Sequence, residues 1–208
     1  MAKKYYAVRN GRTVGIFDSW DDCKASIDGF SGAEYCSFKT KKEANAYLTG
    51  DTAVEQDGSS PLVFPDVKEG QVIAYVDGSF DINTGHYAFG CVLVPYGKEP
   101  EFLNGVGTNP DAASARNVAG ELLGTMTALK WALQNGYRHL DIYHDYTGIQ
   151  KWADREWKAE SYVARRYVAY VDKYRGALTL AFHKVDAHTG VCLNEKADSL
   201  AKAALGIV

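Results

Sequence analysis

The 208-residue chain lacks a long apolar run typical of a membrane span, a secretory signal and a cysteine pattern typical of zinc binding. No run approaches 18 apolar residues, and the N-terminus MAKKYYAVRNG has no apolar segment typical of a secretory signal. The four cysteines show no CxxC spacing, which argues against a structural zinc site and favours free thiols in a reducing compartment. We therefore expect a cytoplasmic monomer with no membrane contact and no obligate protein partner.

The net charge of −3 is small, but it hides an uneven distribution along the chain. Residues 1–50 carry eight basic and six acidic side chains, residues 51–70 carry one and five, and residues 71–208 carry 14 and 15. The segment 50–70 is rich in Gly, Ser, Pro and acid and lacks periodicity, which is typical of a linker. The sequence thus predicts a head at 1–49, a linker at 50–70 and a body at 71–208, and the basic, aromatic-rich head suits contact with a polyanion.

The head has the pattern of a small α/β domain. Two β-prone runs, Tyr6–Arg9 and Val14–Phe17, flank Asn10-Gly11, a pair typical of a tight hairpin turn. A three-stranded antiparallel sheet with two helices is expected from this hairpin and the segments that follow it. Those segments are a helix at Trp20–Ile27 capped by Ser19, a strand at Glu34–Phe38 and a short helix capped by Thr40.

The body alternates strands and helices in the order βββαβααβα, which predicts an α/β fold with a mixed five-stranded sheet flanked by helices. The segment Ala115–Gln134 is predicted as a helix, with Leu122, Met126 and Leu129 on one face and Gly136 after its end. The strands are predicted at Val72–Asp77, Tyr87–Pro95, Glu101–Val106, Leu140–His144 and Ala177–Lys184. The other helices are predicted at Thr147–Glu156, Tyr162–Tyr174 and Glu195–Leu205, the last capped by Asn194.

Four acidic residues lie in four separate segments of the body: Asp77 in IAYVDGSF, Glu121 in RNVAGELL, Asp145 in LDIYHDYTGI and Asp198 in NEKADSLAKAA. Asp77 and Asp145 are predicted to end strands that can lie side by side, and the other two lie on helices. Mg²⁺ prefers hard oxygen ligands. If the helix N-termini point to the strand ends, two divalent ions about 4 Å apart could clamp the attacking water and the leaving oxygen of a phosphodiester. The pattern therefore indicates a two-metal nuclease.

Short motifs of the body occur together: YVDGS, the NVAGE spacing from Asn117 to Glu121, HD at a strand end, and AHTG followed by NEKAD. With them, residues 71–208 resemble the type 1 ribonuclease H family over their whole length. The resemblance implies a ribonuclease H-like fold and hydrolysis of the RNA strand of RNA–DNA hybrids, leaving 5′-phosphate and 3′-hydroxyl ends. It also implies two Mg²⁺ ions, with Mn²⁺ as an alternative.

Carried over by position, the resemblance assigns roles to individual residues. Asp77 would bridge both ions, and His188 in AHTG would assist proton transfer or product release. The carboxylates that complete the metal site would be Glu121, Asp145 and Asp198. Contacts with the hybrid strands are implied for Asn83 and Asn117, and backbone contacts with RNA 2′-hydroxyls for Gly78 and Ser79, which would distinguish RNA from DNA.

The head carries the pattern YYAVRNGRTVGIFDSWDDCK and then YCSF before a short helix. Residues 4–48 resemble the caulimovirus viroplasmin-like domain that binds hybrids at the N-terminus of many type 1 ribonucleases H. The resemblance implies that Tyr6, Trp20 and Tyr35 contact the RNA–DNA hybrid, with double-stranded RNA as a second ligand. An aromatic surface flanked by Lys and Arg fits the sugars and phosphates of an A-like duplex.

The chain departs from the family pattern at Thr147, often Gln, which puts one RNA-strand contact in question. It also departs at Cys36 and Ser37, Lys in some relatives, which predicts a weaker grip by the head. The region 152–174 is too short for a basic protrusion of the kind that holds substrate in some single-domain enzymes. We therefore hypothesise that the head supplies the missing affinity.

Several alternatives remain open from the sequence. Asp198 could pair with Lys202 one turn on, Asn117 could be only a helix cap, and Trp20 or Tyr35 could be core residues of a small domain. For the whole chain, the alternatives are an inactive protein that binds hybrid or double-stranded RNA, and a polynucleotidyl transferase of the same fold. The intact carboxylate set argues against the first, and the AHTG and ADSLAK motifs argue against the second.

Overall fold

A computed structural model gives the structure of the protein at residues 4–28, 30, 34–38, 40–49, 64–185 and 192–207. The chain forms two compact units, Met1–Val63 with His188–Cys192, and Phe64–Ala187 with Leu193–Val208. Much of the predicted linker at 50–70 lies outside the described residues, so the predicted domain boundaries stay predictions. No helix in the described part of the chain is long and apolar enough to cross a membrane.

The first unit contains the predicted three-stranded antiparallel sheet, in the order β2-β1-β3. A core cluster of small and aromatic side chains lies on one face of this sheet, and Val8 and Cys23 outside this cluster are also fully buried. Ser19 caps the first helix as predicted, because its Oγ accepts the N–H of Asp22. Thr40 and Glu43 cap the second helix reciprocally, each accepting the other's N–H. The elements are β1 Tyr5–Asn10, β2 Gly15–Phe17, α1 Trp20–Ile27, β3 Glu34–Phe38 and α2 Lys41–Thr49.

The expectation of free thiols is wrong for two of the four cysteines. Cys36 and Cys192, both grouped with the first unit, form a disulfide with their Cα atoms 5.2 Å apart, within the range that a disulfide spans. The two residues are 156 positions apart, so their spacing in the sequence could not indicate the pair. Cys23 and Cys91 are free and buried, as the expectation requires.

The second unit is built on the predicted mixed five-stranded sheet, in the order β6-β5-β4-β7-β8. The strands β4, β5 and β6 pair antiparallel, whereas β7 pairs parallel with both β4 and β8. The strands are β4 Gln71–Asp81, β5 His86–Pro95, β6 Glu101–Gly107, β7 His139–His144 and β8 Thr179–Lys184. The helices are α3 Pro110–Ala113, α4 Asn117–Gln134, α5 Gly148–Ala153, α6 Tyr162–Tyr174 and, from Leu193 on, α7 Cys192–Ala204.

Three helix boundaries differ from the prediction by two residues or more. The helix expected from Ala115 begins at Asn117, because Arg116 has a φ of 51° and separates α3 from α4. The helix α5 ends at Ala153, and Arg155 after it has a φ of 64°. The last helix begins at Cys192, so Asn194 is a buried residue of α7 rather than its cap.

The core of the second unit lies between one face of the sheet and the helices α4, α5 and α6. On α4 the residues Thr125, Ala128 and Ala132 are fully buried. Their small side chains let the helix approach the sheet closely. This close approach carries the functional side chain of α4, Glu121, down to the end of the parallel ladder.

Candidate active site

The site forms where β4 and β7 separate. Their parallel pairing runs from Gln71 opposite His139 to Tyr75 opposite Tyr143. Asp77 lies two residues beyond the last pair, and Asp145 is the first residue after β7. The two carboxylates are therefore presented at the same end of the parallel ladder.

The prediction that Asp77 ends its strand is wrong. Antiparallel pairing with β5 continues past Asp77, which lies opposite Gly90, and carries β4 on to Asp81. Asp77 is thus held on one side by a strand and, among the described residues, has no strand partner on the other. This half-paired position fixes the backbone of Asp77 while leaving room for other side chains beside it.

Two glycines allow helices to bring further carboxylates to this position. A Cβ atom at Gly78 would overlap the carbonyl of Asn117, so the first turn of α4 lies directly on β4. A Cβ atom at Gly90 would overlap the carbonyl of Ala197, so α7 lies directly on β5 on the opposite face. The first contact places Glu121 beside Asp77, and the second brings Asp198 near it.

Three of the four predicted carboxylates meet. One oxygen atom each from Asp77, Glu121 and Asp145 lies within 4.8 Å of the others. Such a group of oxygen ligands suits a hard divalent cation. Glu121 is only 1% exposed, so the site reaches into the core of the unit.

The electrostatics of the three carboxylates also fit a cation. Burial, and then the charges of Asp145 and Asp198, raise the pKa of Asp77 to about 7. Burial, followed by Asp145 and Asp77, raises the pKa of Glu121 to about 9. Two N–H groups oppose these shifts: that of Gly78 at 2.7 Å from Asp77 Oδ1, and that of Tyr146 at 3.3 Å from Glu121 Oε2. A bound divalent ion would relieve the remaining repulsion.

Asp198 lies outside this group of three. Its Oδ2 accepts a hydrogen bond from Lys202 Nζ at 2.6 Å, the alternative pairing that the sequence allowed. It still lies close enough to raise the pKa of Asp77. Glu195, one turn earlier on α7, acts on Asp77 in the same direction. Glu195 was not predicted as a site residue, although its i, i+3 spacing to Asp198 was a usable signal.

The described residues of the second unit that are predicted to contact the substrate lie on β4, at the start of α4 and in the turn after β4. Asn117 is exposed at the first helical position of α4, and Gly78 and Ser79 follow Asp77 on β4. Asn83 is exposed in the turn after β4, where its N–H donates to Asp81 Oδ1. His188 lies outside the described residues. Thr147 precedes α5 and is half-buried, without a side-chain capping bond to that helix.

In the first unit, Tyr6, Trp20 and Tyr35 form one aromatic row. The ring of Trp20 lies 5.5 Å from that of Tyr6 and 5.9 Å from that of Tyr35. All three side chains are half-buried. Strand alternation places Tyr6 and Tyr35 on the face of the sheet opposite the core cluster, which consists of Ala7, Cys36, Phe38, Ala44 and Tyr47.

The two departures in the head lie on different faces. Cys36 is 4% exposed and belongs to the core cluster, so its side chain is not on the aromatic face. Ser37 is half-buried and pairs with Tyr6, on the same face as the aromatic row. Only the departure at Ser37 therefore bears on a contact made by this face.

Two residues that the sequence analysis overlooked flank Asp145. His144 is fully buried, and its Nδ1 lies 3.0 Å from the carbonyl oxygen of Tyr146. The N–H of Tyr146 is the donor to Glu121. A polar residue at the buried end of a strand, directly before a candidate ligand, was the available signal.

Two family models match the chain. The model for RNase H matches residues 69–206, and the model for the ribonuclease H1 N-terminal domain matches residues 4–48. Ribonuclease H of Crithidia fasciculata is 49% identical over 53 residues, which are 26% of this chain and 11% of that protein. The chain covers between 11% and 21% of the length of the first four curated relatives it matches.

Solved structures share the fold of the second unit. RNase H1 from the halophilic archaeon Halobacterium salinarum NRC-1 aligns with a TM-score of 0.55 at 24% identity, covering 66% of this chain and 99% of that one. LC11-RNase H1 in complex with an RNA/DNA hybrid aligns with a TM-score of 0.51 at 15% identity, covering 64% and 99%. The family model, which spans more than half of the chain, and this shared fold agree. The chain therefore belongs to the ribonuclease H family, and its N-terminal segment matches the domain that precedes the catalytic domain in ribonuclease H1.

Proposed function

We propose that the protein is an endonuclease that hydrolyses the RNA strand of RNA–DNA hybrids and leaves 5′-phosphate and 3′-hydroxyl ends. The observation that carries the proposal is the meeting of Asp77, Glu121 and Asp145 within 4.8 Å at the end of the parallel ladder of a ribonuclease H fold. The choice of substrate is supported by LC11-RNase H1, a protein of the same fold whose structure contains an RNA/DNA hybrid.

The donor set supports divalent ions at this site. Asp77, Glu121 and Asp145 would hold them, with Asp198 on the α7 side, and oxygen-only ligands favour Mg²⁺ with Mn²⁺ as the alternative. When bound, a pair of such ions supplies Lewis-acid activation of the phosphodiester and of the attacking water. The protein's own residues prepare the site: the N–H groups of Gly78 and Tyr146 orient two of the carboxylates.

The first unit would bind the hybrid through the aromatic row of Tyr6, Trp20 and Tyr35. The family-model match at residues 4–48 and the half-buried rings on the sheet face away from the core support this role. Rings that are already packed against one another lose little freedom on contact with sugars. On the second unit, Asn117, Asn83 and the backbone of Gly78 and Ser79 would contact the hybrid strands, and His188 would assist proton transfer or product release.

The test is incubation of the whole chain with end-labelled RNA–DNA hybrid and, separately, with double-stranded RNA, each with Mg²⁺ and with EDTA. We expect cleavage of the hybrid's RNA strand alone, only with Mg²⁺, and products that a 5′-phosphate-dependent exonuclease can degrade. Binding of either duplex without cleavage would instead support a binding protein. Joining of DNA strands would support a polynucleotidyl transferase.

A further inference from the structure

The side chain of His144 makes a hydrogen bond whose direction the geometry determines. Its Nδ1 lies 3.0 Å from the carbonyl oxygen of Tyr146, and a carbonyl can only accept, so Nδ1 carries the proton. The other ring nitrogen, Nε2, is buried and has no hydrogen-bond partner among the described residues. Within that part of the chain, the bond to Tyr146 is the one side-chain hydrogen bond of this fully buried imidazole.

Tyr146 links His144 to the carboxylate cluster. Its carbonyl oxygen accepts from His144 and from the N–H of Ile149 in the first turn of α5. Its own N–H donates to Glu121 Oε2 at 3.3 Å. The two peptide groups that flank its Cα are thus fixed from opposite directions, one by the imidazole and one by a buried carboxylate.

The ring of Tyr146 is also held. It lies against Gly148, where a Cβ atom would overlap it, and 5.7 Å from the ring of Trp152. These contacts define the position of the ring but not the rotation of the two peptide groups. The hydrogen bonds that the Tyr146 carbonyl accepts from His144 and from the Ile149 N–H restrain that rotation.

We propose that His144 is a positioning residue of the carboxylate site and acts through Tyr146. By holding the Tyr146 carbonyl, it aims the Tyr146 N–H at Glu121 and sets the turn from which Asp145 projects. His144 itself contacts neither of these carboxylates through a hydrogen bond. The inference deepens the proposed function, on which it rests, because it assigns the residue to that same site.

The hydrogen bond from the Tyr146 N–H to Glu121 is the contact that a movement of the turn would break most easily. At 3.3 Å it is longer than the usual 2.9–3.0 Å for such bonds, so a small rotation of the turn would break it. Glu121 is 1% exposed and therefore buried. A buried carboxylate that loses a hydrogen-bond donor is held less firmly in the orientation that binds a cation, and its affinity for the cation falls. Loss of the imidazole donor should therefore weaken cation binding much more than it weakens substrate binding.

The backbone of His144 offers a way to separate this role from a structural one. The carbonyl of His144 accepts the N–H of Val185 at 2.8 Å and so extends the pairing of β7 with β8. A change of side chain leaves that bond in place. His144→Asn and His144→Gln form a matched pair, because the Asn amide nitrogen lies where Nδ1 does, and the Gln amide nitrogen lies where Nε2 does.

The experiment compares both variants with the wild type in the whole chain. Mn²⁺ binding is measured by calorimetry without nucleic acid, kcat and KM are measured on the hybrid with Mg²⁺, and Tm is measured for each protein. In His144→Gln we expect the Mn²⁺ affinity and kcat to fall about 10- to 100-fold, the range for residues that orient metal ligands, while KM changes little. In His144→Asn both quantities should stay close to the wild-type values, although each variant buries one amide.

The proposal is overturned if both variants lose Mn²⁺ affinity equally, if His144→Gln binds Mn²⁺ like the wild type, or if kcat falls only in proportion to the loss of folded protein. Should His144→Gln fail to fold, His144→Leu, which also lacks the donor, takes its place in the comparison. The Mn²⁺ titration needs no substrate. A wild-type protein that binds Mn²⁺ but leaves the hybrid intact would refute the proposed function while the comparison of variants stays measurable.

Discussion

The two units use opposite kinds of side chain for their candidate sites. In the first unit the row of Tyr6, Trp20 and Tyr35 consists of rings that pack on one another, so the groups that would bind the hybrid also stabilise the fold. In the second unit Asp77, Glu121 and Asp145 are gathered without a counter-charge among them, so the groups that would bind the cation oppose the fold.

The sizes of the two cores match this difference. Among the described residues, the core cluster on the sheet face opposite the aromatic row contains five buried residues, whereas the cluster around α4 contains 19. A small core leaves little stability with which to offset buried charge, and a large one can hold a destabilising site. The comparison predicts that substitutions at the two sites change stability in opposite directions.

Asp77→Asn should give the largest effect. It should lower the rate of hybrid cleavage by about a thousandfold or more, since it removes several kcal/mol of cation-dependent stabilisation of the transition state. In metal-free buffer at neutral pH it should also raise the Tm, because it removes one of the buried, mutually repelling carboxylates. Single-turnover cleavage and differential scanning calorimetry measure the two effects.

A matched control for this variant is Asp81→Asn, the same change on the same strand but at a position outside the cluster. It should keep most of the activity, and it should not raise the Tm, because the Asp81 carboxylate accepts bonds from the Asn83 N–H and the Thr84 hydroxyl. Substantial cleavage by Asp77→Asn would refute the role proposed for Asp77.

The stability of the metal-free protein should fall as the pH rises. An unfolded carboxyl group loses its proton near pH 4, whereas Asp77 and Glu121 in the folded protein keep theirs until about pH 7 and about pH 9. Between these values the folded state binds more protons than the unfolded state. The stability that the two protonated groups contribute to the folded state is therefore fully present below about pH 4, and it is lost progressively up to about pH 9.

Urea denaturation from pH 5 to pH 9 in EDTA measures this dependence. Glu121→Gln should remove the decrease in the free energy of unfolding between about pH 7 and about pH 9, because the amide does not titrate. Saturating Mg²⁺ at pH 8 should raise the free energy of unfolding of the wild type, and it should raise that of Glu121→Gln only slightly. A wild-type free energy of unfolding that stays level across this range would show that the carboxylates are better solvated than their burial indicates.

The first unit should contribute affinity rather than chemistry. Removal of residues 1–50 should raise KM about tenfold or more through the loss of a tethered binding unit, while kcat changes much less. In the whole chain, Trp20→Ala removes both ring contacts of the aromatic row and should move KM in the same direction. Because this ring also packs its neighbours, Trp20→Ala should lower the Tm, which is the reverse of Asp77→Asn. An unchanged KM after removal of residues 1–50 would contradict the proposed role.

The contrast between the units also explains what could be predicted from the sequence. The carboxylates Asp77, Glu121 and Asp145 stand in short motifs, and the apolar runs around them predict the strands, so the sheet follows from local pattern. The continuation of β4 to Asp81 depends on its pairing with β5, which no local run reveals. Likewise the break at Arg116 is a backbone conformation of a residue that carries no breaking signal.

The role inferred for His144 was not predicted, for a related reason. In the sequence it is a polar residue at a strand end, which is usually exposed, and only the packing around β7 shows that it is fully buried with one bond to Tyr146. The pair Cys36 and Cys192 also depends on distant parts of the chain. Carboxylates that stand in short motifs were found, and side chains whose contacts are set only by tertiary packing, such as His144, were not.

The smallest expected effect concerns Lys202, whose ion pair with Asp198 is partly exposed. Lys202→Met should change the free energy of unfolding by less than about 1 kcal/mol, as for other exposed pairs, and should leave cleavage nearly intact. Asp198→Asn breaks the same ion pair. If the carboxylate of Asp198 serves only this pair, the two variants should behave alike. If it serves the cation on the α7 side, Asp198→Asn alone should lose Mn²⁺ affinity and cleavage, and calorimetry of both variants decides between these roles.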